Sequence, residues 1–99
     1  MTAAPQPIGV LVALREELRA MEPVLRGRNV AIARTGIGRT NAREKAAAFL
    51  AEKKPALLIV TGFAGGLRPG LKAGDVVIAA EVSEEGRASY PWTAPADLL

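Results

Sequence analysis

The chain has 99 residues, with 13 Lys or Arg against 10 Asp or Glu, a net charge of +3, 49% apolar residues and 23% charged ones. This is the balance of a globular chain rather than a disordered one, and the length supports one domain at most. Cys and His are both absent, which excludes disulfides, thiolate or imidazole metal sites, thiol nucleophiles and histidine bases, so no metal is expected.

The first element is Ile8-Gly9-Val10-Leu11-Val12-Ala13, a continuous apolar run suited to a strand buried on both faces. It is too short to span a membrane, and Met1–Pro7 ahead of it lacks the basic start of a secretory signal. A soluble cytoplasmic protein with no membrane span is expected. Arg15–Leu25 follows, with Leu18, Met21 and Leu25 forming the stripe of an amphipathic helix that Pro23 should kink or shorten. Asn29–Arg34 reads as a second strand and Thr35-Gly36-Ile37-Gly38-Arg39 as a tight glycine turn. Asn41 is placed to cap the next helix, with Glu44 in the capping-box position. From Ala42 to Lys54, Ala42, Ala46, Phe49 and Leu50 share one face, and Pro55 ends the helix. Leu57–Thr61 is a third strand. A glycine-rich loop, Gly62–Gly74, leads to Asp75–Val82, the last clear strand. Ala94–Leu99 reads as the opening turn of a further helix, as expected of the front part of a longer domain.

The pattern is α/β: a mostly parallel or mixed sheet flanked by helices. In such sheets ligands bind beyond the carboxyl ends of the strands. Three segments fall there: Leu14–Glu17, Thr35–Arg39 and Gly62–Gly66. Gly36 and Gly38 could present backbone N–H groups to an anion, or could simply be the positive-φ residues that a strand-to-helix turn needs. Arg15, Arg34 and Arg39 are candidates to clamp an anion. A dinucleotide fingerprint fails at Asn41 and a P-loop fails at Leu71, so no nucleotide cofactor is expected. Glu16 and Glu17 open a helix, where acids are favoured in any case, but the helical stripe turns Glu17 inward rather than Glu16. A carboxylate there could orient a water or hold sugar hydroxyls. Asp75 reads as a turn residue. Residues 1–72 hold 12 basic and 5 acidic groups. Because these alternate along helix faces and stacking aromatics are few, no nucleic-acid surface is expected.

Three segments resemble a known family. Ile8–Leu18 is similar to the opening strand and Met-Glu-Glu-Glu segment of the methylthioadenosine/S-adenosylhomocysteine nucleosidases. Thr35-Gly36-Ile37-Gly38-Arg39 is similar to their Ser-Gly-Ile-Gly-Lys turn. Thr61-Gly62-Phe63-Ala64-Gly65-Gly66-Leu67, with Gly74-Asp75-Val76-Val77 after it, resembles their Thr-Gly-Ser-Ala-Gly-Gly-Leu and Gly-Asp-Ile-Val-Val. Together they point to the purine nucleoside phosphorylase superfamily, and Gly86–Pro91 also resembles its hopanoid-associated phosphorylase branch. The resemblance implies that residues 1–99 form the N-terminal part of a single nucleoside phosphorylase-like domain. It implies cleavage of a purine–ribose N-glycosidic bond by water, or by phosphate. It gives Glu17 the place of the acid that activates water, Leu14 that of a Met against the ribose, and Phe63, Ala64 and Gly65 the loop lining the nucleoside pocket. Phe63 departs from the family's Ser. The family's leaving-group acid comes from a later part, so 99 residues alone are expected to be inactive, as a truncated fragment or a nucleoside- or anion-binding module. An intact version is expected to form a homo-oligomer. In a full-length version, a Glu17→Gln change is expected to abolish hydrolysis while sparing fold and binding.

Overall fold

The apolar run at the start of the chain becomes the middle strand of a parallel sheet. In the computed structural model, which describes residues 5–86 and 89–91, β1 spans Ile8–Val12 and all its residues after Ile8 are buried. A strand with neighbours on both sides and helices against it has no polar face to show, hence the absence of alternation. β2 (Val30–Arg34) pairs with one edge of β1, Ile8 opposite Val30 and Val12 opposite Arg34. β3 (Leu57–Val60) pairs with the other, Ile8 opposite Leu57 and Leu11 opposite Val60. The order is β2-β1-β3 and both pairings are parallel. The carboxyl ends of all three strands therefore share one edge, and the link from β2 to β3 crosses over β1.

Two helices make these connections. α1 (Arg15–Leu25) joins β1 to β2. Leu18, Met21 and Leu25 are half-buried along its inner stripe. The helix runs two residues past Pro23, because a proline near the last turn removes one N–H bond and little else. α2 (Arg39–Lys53) begins three residues earlier than its capping signals suggest. Gly38, at φ 98°, is the residue before the helix, and Asn41 instead donates its side-chain Nδ2–H to the Ile37 carbonyl at 2.9 Å. Of the expected apolar face of α2, Phe49 is buried and Ala46 half-buried, while Ala42 and Leu50 are exposed. Lys54 closes the helix in the left-handed region, its N–H on the Leu50 carbonyl.

Among the described residues the core is small: Val10, Leu11 and Val12 of β1 with Phe49. Gly9 lets α2 come close, since a Cβ there would lie 2.7 Å from Phe49 Cε1 and 3.1 Å from Pro55 Cβ.

The described residues divide into two units, Met1–Gly65 and Gly66–Leu99. The sheet and both helices belong to the first. In the second, Asp75 sits in a turn, its carboxylate accepting from the Lys72 N–H at 2.9 Å. The expected strand over Asp75–Val82 is corrected to β4, Glu81–Ser83 alone, paired antiparallel with β5, Ser89–Pro91. Val76, Val77 and Ile78 lie outside any strand and are exposed. A β-branched run makes a strand only where cross-strand neighbours and a covering layer are available, and among the described residues these three have neither. β5 leaves no strand signal in the sequence because it is short and contains proline, which is tolerated at the margin of a pair. Ala94–Leu99, and Arg87 and Ala88 of the Gly86–Pro91 stretch, lie outside the described residues. Among the described residues no helix is long and apolar enough to cross a membrane.

Candidate active site

The turns leaving the strands are tied together at their shared edge. After β2, the Thr35 N–H donates to the Val12 carbonyl at 2.7 Å and the Gly36 N–H to the Ala13 carbonyl at 3.1 Å. After β3, the Thr61 N–H donates to the Leu11 carbonyl at 3.0 Å. These bonds carry the parallel ladders past the strand ends, so that the three turns stay level.

Glu17 completes the arrangement. It stands in the third position of α1, one turn in from Leu14, which sets its side chain back over the end of β1. Its Oε1 accepts from the Ala13 N–H at 3.0 Å and from the Leu14 N–H at 2.8 Å. Its Oε2 accepts from the Phe63 N–H at 2.7 Å. One carboxylate thus joins the turn after β1 to the turn after β3, across 46 positions of sequence. It is 4% exposed, whereas Glu16 beside it is open to solvent.

A buried carboxylate normally resists ionisation, since burial penalises the charged form. Here the amides prevail. The Phe63 N–H, then the Leu14 N–H and more weakly the Ala13 N–H hold the Glu17 carboxyl below its ordinary value of 4.5, against the opposing effect of burial. The partial positive charge at the start of α1 acts in the same sense. Glu17 is thus a fixed anion at the strand ends, and its charge is met by backbone dipoles. Three of the roughly four acceptor directions of a carboxylate are used. Oε2 carries the smaller share, one N–H against two on Oε1.

The other predicted residues separate into two sets. Leu14 is half-buried where β1 meets α1, and Phe63, Ala64 and Gly65 follow the Glu17 contact as an exposed loop. Gly36 and Gly38 have φ of 83° and 98°, so the strand-to-helix turn itself requires them. Arg15, Arg34 and Arg39 are exposed at the start of α1, the end of β2 and the start of α2. All three fall at the same edge of the sheet as Glu17. A shallow depression along α2, lined by Arg39, Thr40, Arg43, Glu44 and Ala47, is separate from Glu17 and Phe63. Among the described residues no cluster of three or more acids could hold a metal ion.

The glycines give a stability test. Gly38→Ala must force a side chain into the left-handed region, with an expected cost of about 1–2 kcal/mol. Gly65 has neither a positive φ nor an atom within 4 Å of an added Cβ, so Gly65→Ala should change stability by less than about 0.5 kcal/mol. Urea unfolding of the two variants checks both.

Sequence comparison agrees with this geometry. A family model described as the phosphorylase superfamily matches residues 7–97. The chain is 41% identical over 76 residues to the 5'-methylthioadenosine/S-adenosylhomocysteine nucleosidase of Haemophilus influenzae strain PittEE, covering 72% of this chain and 33% of that protein. It is equally similar to the protein of the same name from strain PittGG, 41% over 76 residues with the same coverage. The chain thus spans about a third of the length of these relatives. No solved structure matches it. A parallel β2-β1-β3 sheet flanked by helices, glycine turns beyond its strand ends and a match covering nearly every residue lead to one conclusion: this chain belongs to the phosphorylase superfamily.

Proposed function

We propose that this chain supplies the nucleophile side of a site that cleaves the N-glycosidic bond of a purine nucleoside, with water as the nucleophile. The observation that carries the reading is Glu17, buried and ionised at the strand ends with one acceptor direction left over. In glycosidic cleavage positive charge builds on the sugar as the base departs. A fixed anion nearby stabilises that charge without reorganising, and its free lone pair orients a water toward the sugar carbon. A carboxylate whose pKa is lowered by backbone N–H groups is a weaker base than a free one. It therefore positions the water first, and takes its proton only as the bond to the sugar forms. Leu14 and the Phe63–Gly65 loop would hold the nucleoside. The leaving-group acid would come from a part of the protein beyond the segment matched here, so the domain would be complete only at the length of the relatives.

Phosphate as nucleophile is the second reading. It is favoured by Arg15, Arg34 and Arg39, three cations at the edge where the strands end.

A hybrid separates the two readings. The matched segment of this chain replaces its counterpart in the H. influenzae nucleosidase, and free base is measured from methylthioadenosine, adenosine and inosine with and without phosphate. Release of base without phosphate is the expected result. Release only with phosphate, accompanied by a sugar phosphate, would favour the second reading. A folded hybrid with no release under either condition would contradict both.

A further inference from the structure

Gly62, immediately ahead of Phe63, stands against the Glu17 carboxylate. The three atoms nearest to a Cβ built at Gly62 all belong to Glu17: Oε2, Cδ at 2.8 Å and Oε1 at 3.2 Å, with Oε2 well inside contact distance. The backbone gives no other reason for glycine here. Gly62 is not among the positive-φ residues, whereas Gly36 and Gly38 are. Gly65, three residues on, has open space around it.

We propose that Gly62 is a positioning residue whose missing side chain admits the Glu17 carboxylate to the Phe63 amide, setting the orientation of the acceptor that faces substrate. The proposal deepens the glycosidase reading and rests on it for its bearing on substrate, though the contact itself does not depend on that reading. Any side chain at position 62 occupies the space of Oε2. The backbone around it is anchored by the Thr61 N–H on the Leu11 carbonyl, so the movable partner is the end of the Glu17 side chain. Once displaced, that carboxylate loses the Phe63 bond first, because Oε2 both makes the bond and meets the new Cβ. Oε1, at 3.2 Å from the added Cβ, is less crowded than Oε2, so its bonds to Ala13 and Leu14 are affected second.

The test is a double-mutant cycle on the 99-residue chain, with Gly62→Ala, Glu17→Ala and the double variant, read by thermal unfolding and by NMR. Gly62→Ala should lower the unfolding midpoint by about as much as Glu17→Ala, of the order of 10 °C, and the double variant should unfold no lower than Glu17→Ala. In Gly62→Ala the Phe63 amide proton should move upfield as its bond is lost, and the Glu17 carboxyl should titrate closer to its ordinary value. In the hybrid nucleosidase, Gly62→Ala should lower kcat at least tenfold and change KM less than threefold. Should Gly62→Ala fail to fold while Glu17→Ala folds, the double variant still decides, because without the carboxylate the added Cβ meets no clash and the double variant must fold as Glu17→Ala does. Additive effects, an unmoved Phe63 amide, or a double variant that fails to fold although Glu17→Ala folds would overturn the proposal. Because the cycle contains no nucleoside, its failure would leave the glycosidic reading standing. An inactive hybrid beside a coupled cycle would sink that reading and spare the contact.

Discussion

Replacing Glu17 by alanine should destabilise the 99-residue chain by about 2–3 kcal/mol, the worth of hydrogen bonds to a charged group with partial access of water to the amides left behind. At 4–8 °C per kcal/mol for a domain of this size, the melting point should fall by about 10–20 °C. The effect is large because the core is small: among the described residues four large apolar side chains are buried, while one carboxylate closes three amides from two turns. The loss should also depend on pH in a definite sense. The folded-state pKa of Glu17 is depressed, so its stabilisation is present above the ordinary value of 4.5 and fades as pH falls below that value through the folded one. The gap between wild type and Glu17→Ala should therefore be widest near neutral pH and narrow in acid. Urea unfolding at several pH values measures it, and a gap that widened in acid would contradict the assignment. Glu17→Gln is expected to keep the fold while costing part of this stability. Both carboxylate oxygens accept N–H groups, so an amide must turn its own NH2 toward one of them and leave a donor facing a donor.

Gly9→Ala is expected to be the second large loss, at about 1–3 kcal/mol. Its Cβ would enter a close approach between the middle strand and the end of α2 with the turn after it, 2.7 Å from Phe49 Cε1 and 3.1 Å from two atoms of Pro55. Phe49 is itself buried and Pro55 is rigid, so neither yields as a surface side chain would. Overpacking here pushes α2 off the sheet. Gly9→Ala/Phe49→Leu relieves the contact and should recover part of the loss. Calorimetric melting of the single and double variants tests this, and an unchanged melting point for Gly9→Ala would place Phe49 elsewhere.

How much of this was legible along the chain follows from what is local. Ile8–Ala13 and Arg15–Leu25 declare themselves because burial on both faces and a single apolar stripe leave their period in adjacent residues. The choice of Glu17 over Glu16 follows from the same stripe, and the carboxylate is indeed buried. Partners distant in sequence leave no such mark. Nothing near Gly62 signals that a side chain 45 positions earlier fills the space beside it. Its place is hidden among four small residues, Gly62, Ala64, Gly65 and Gly66, and only the fold shows which of them lies against Glu17. Asn41 misleads for a related reason. It suits a cap by type, but the positive φ of Gly38 starts the helix earlier. Val76–Ile78 misleads because strand propensity reports fitness for a covered sheet, and among the described residues that cover is missing.

The most direct test of Glu17 as the group that orients water is the rate of base release by the hybrid nucleosidase and its Glu17→Gln variant, at saturating methylthioadenosine and without phosphate. The account predicts a fall in kcat of about 10²–10⁴-fold, with KM altered little and the hybrid still folded. A variant that keeps its kcat within about threefold of the parent hybrid would contradict the account and reduce Glu17 to a tie between two turns.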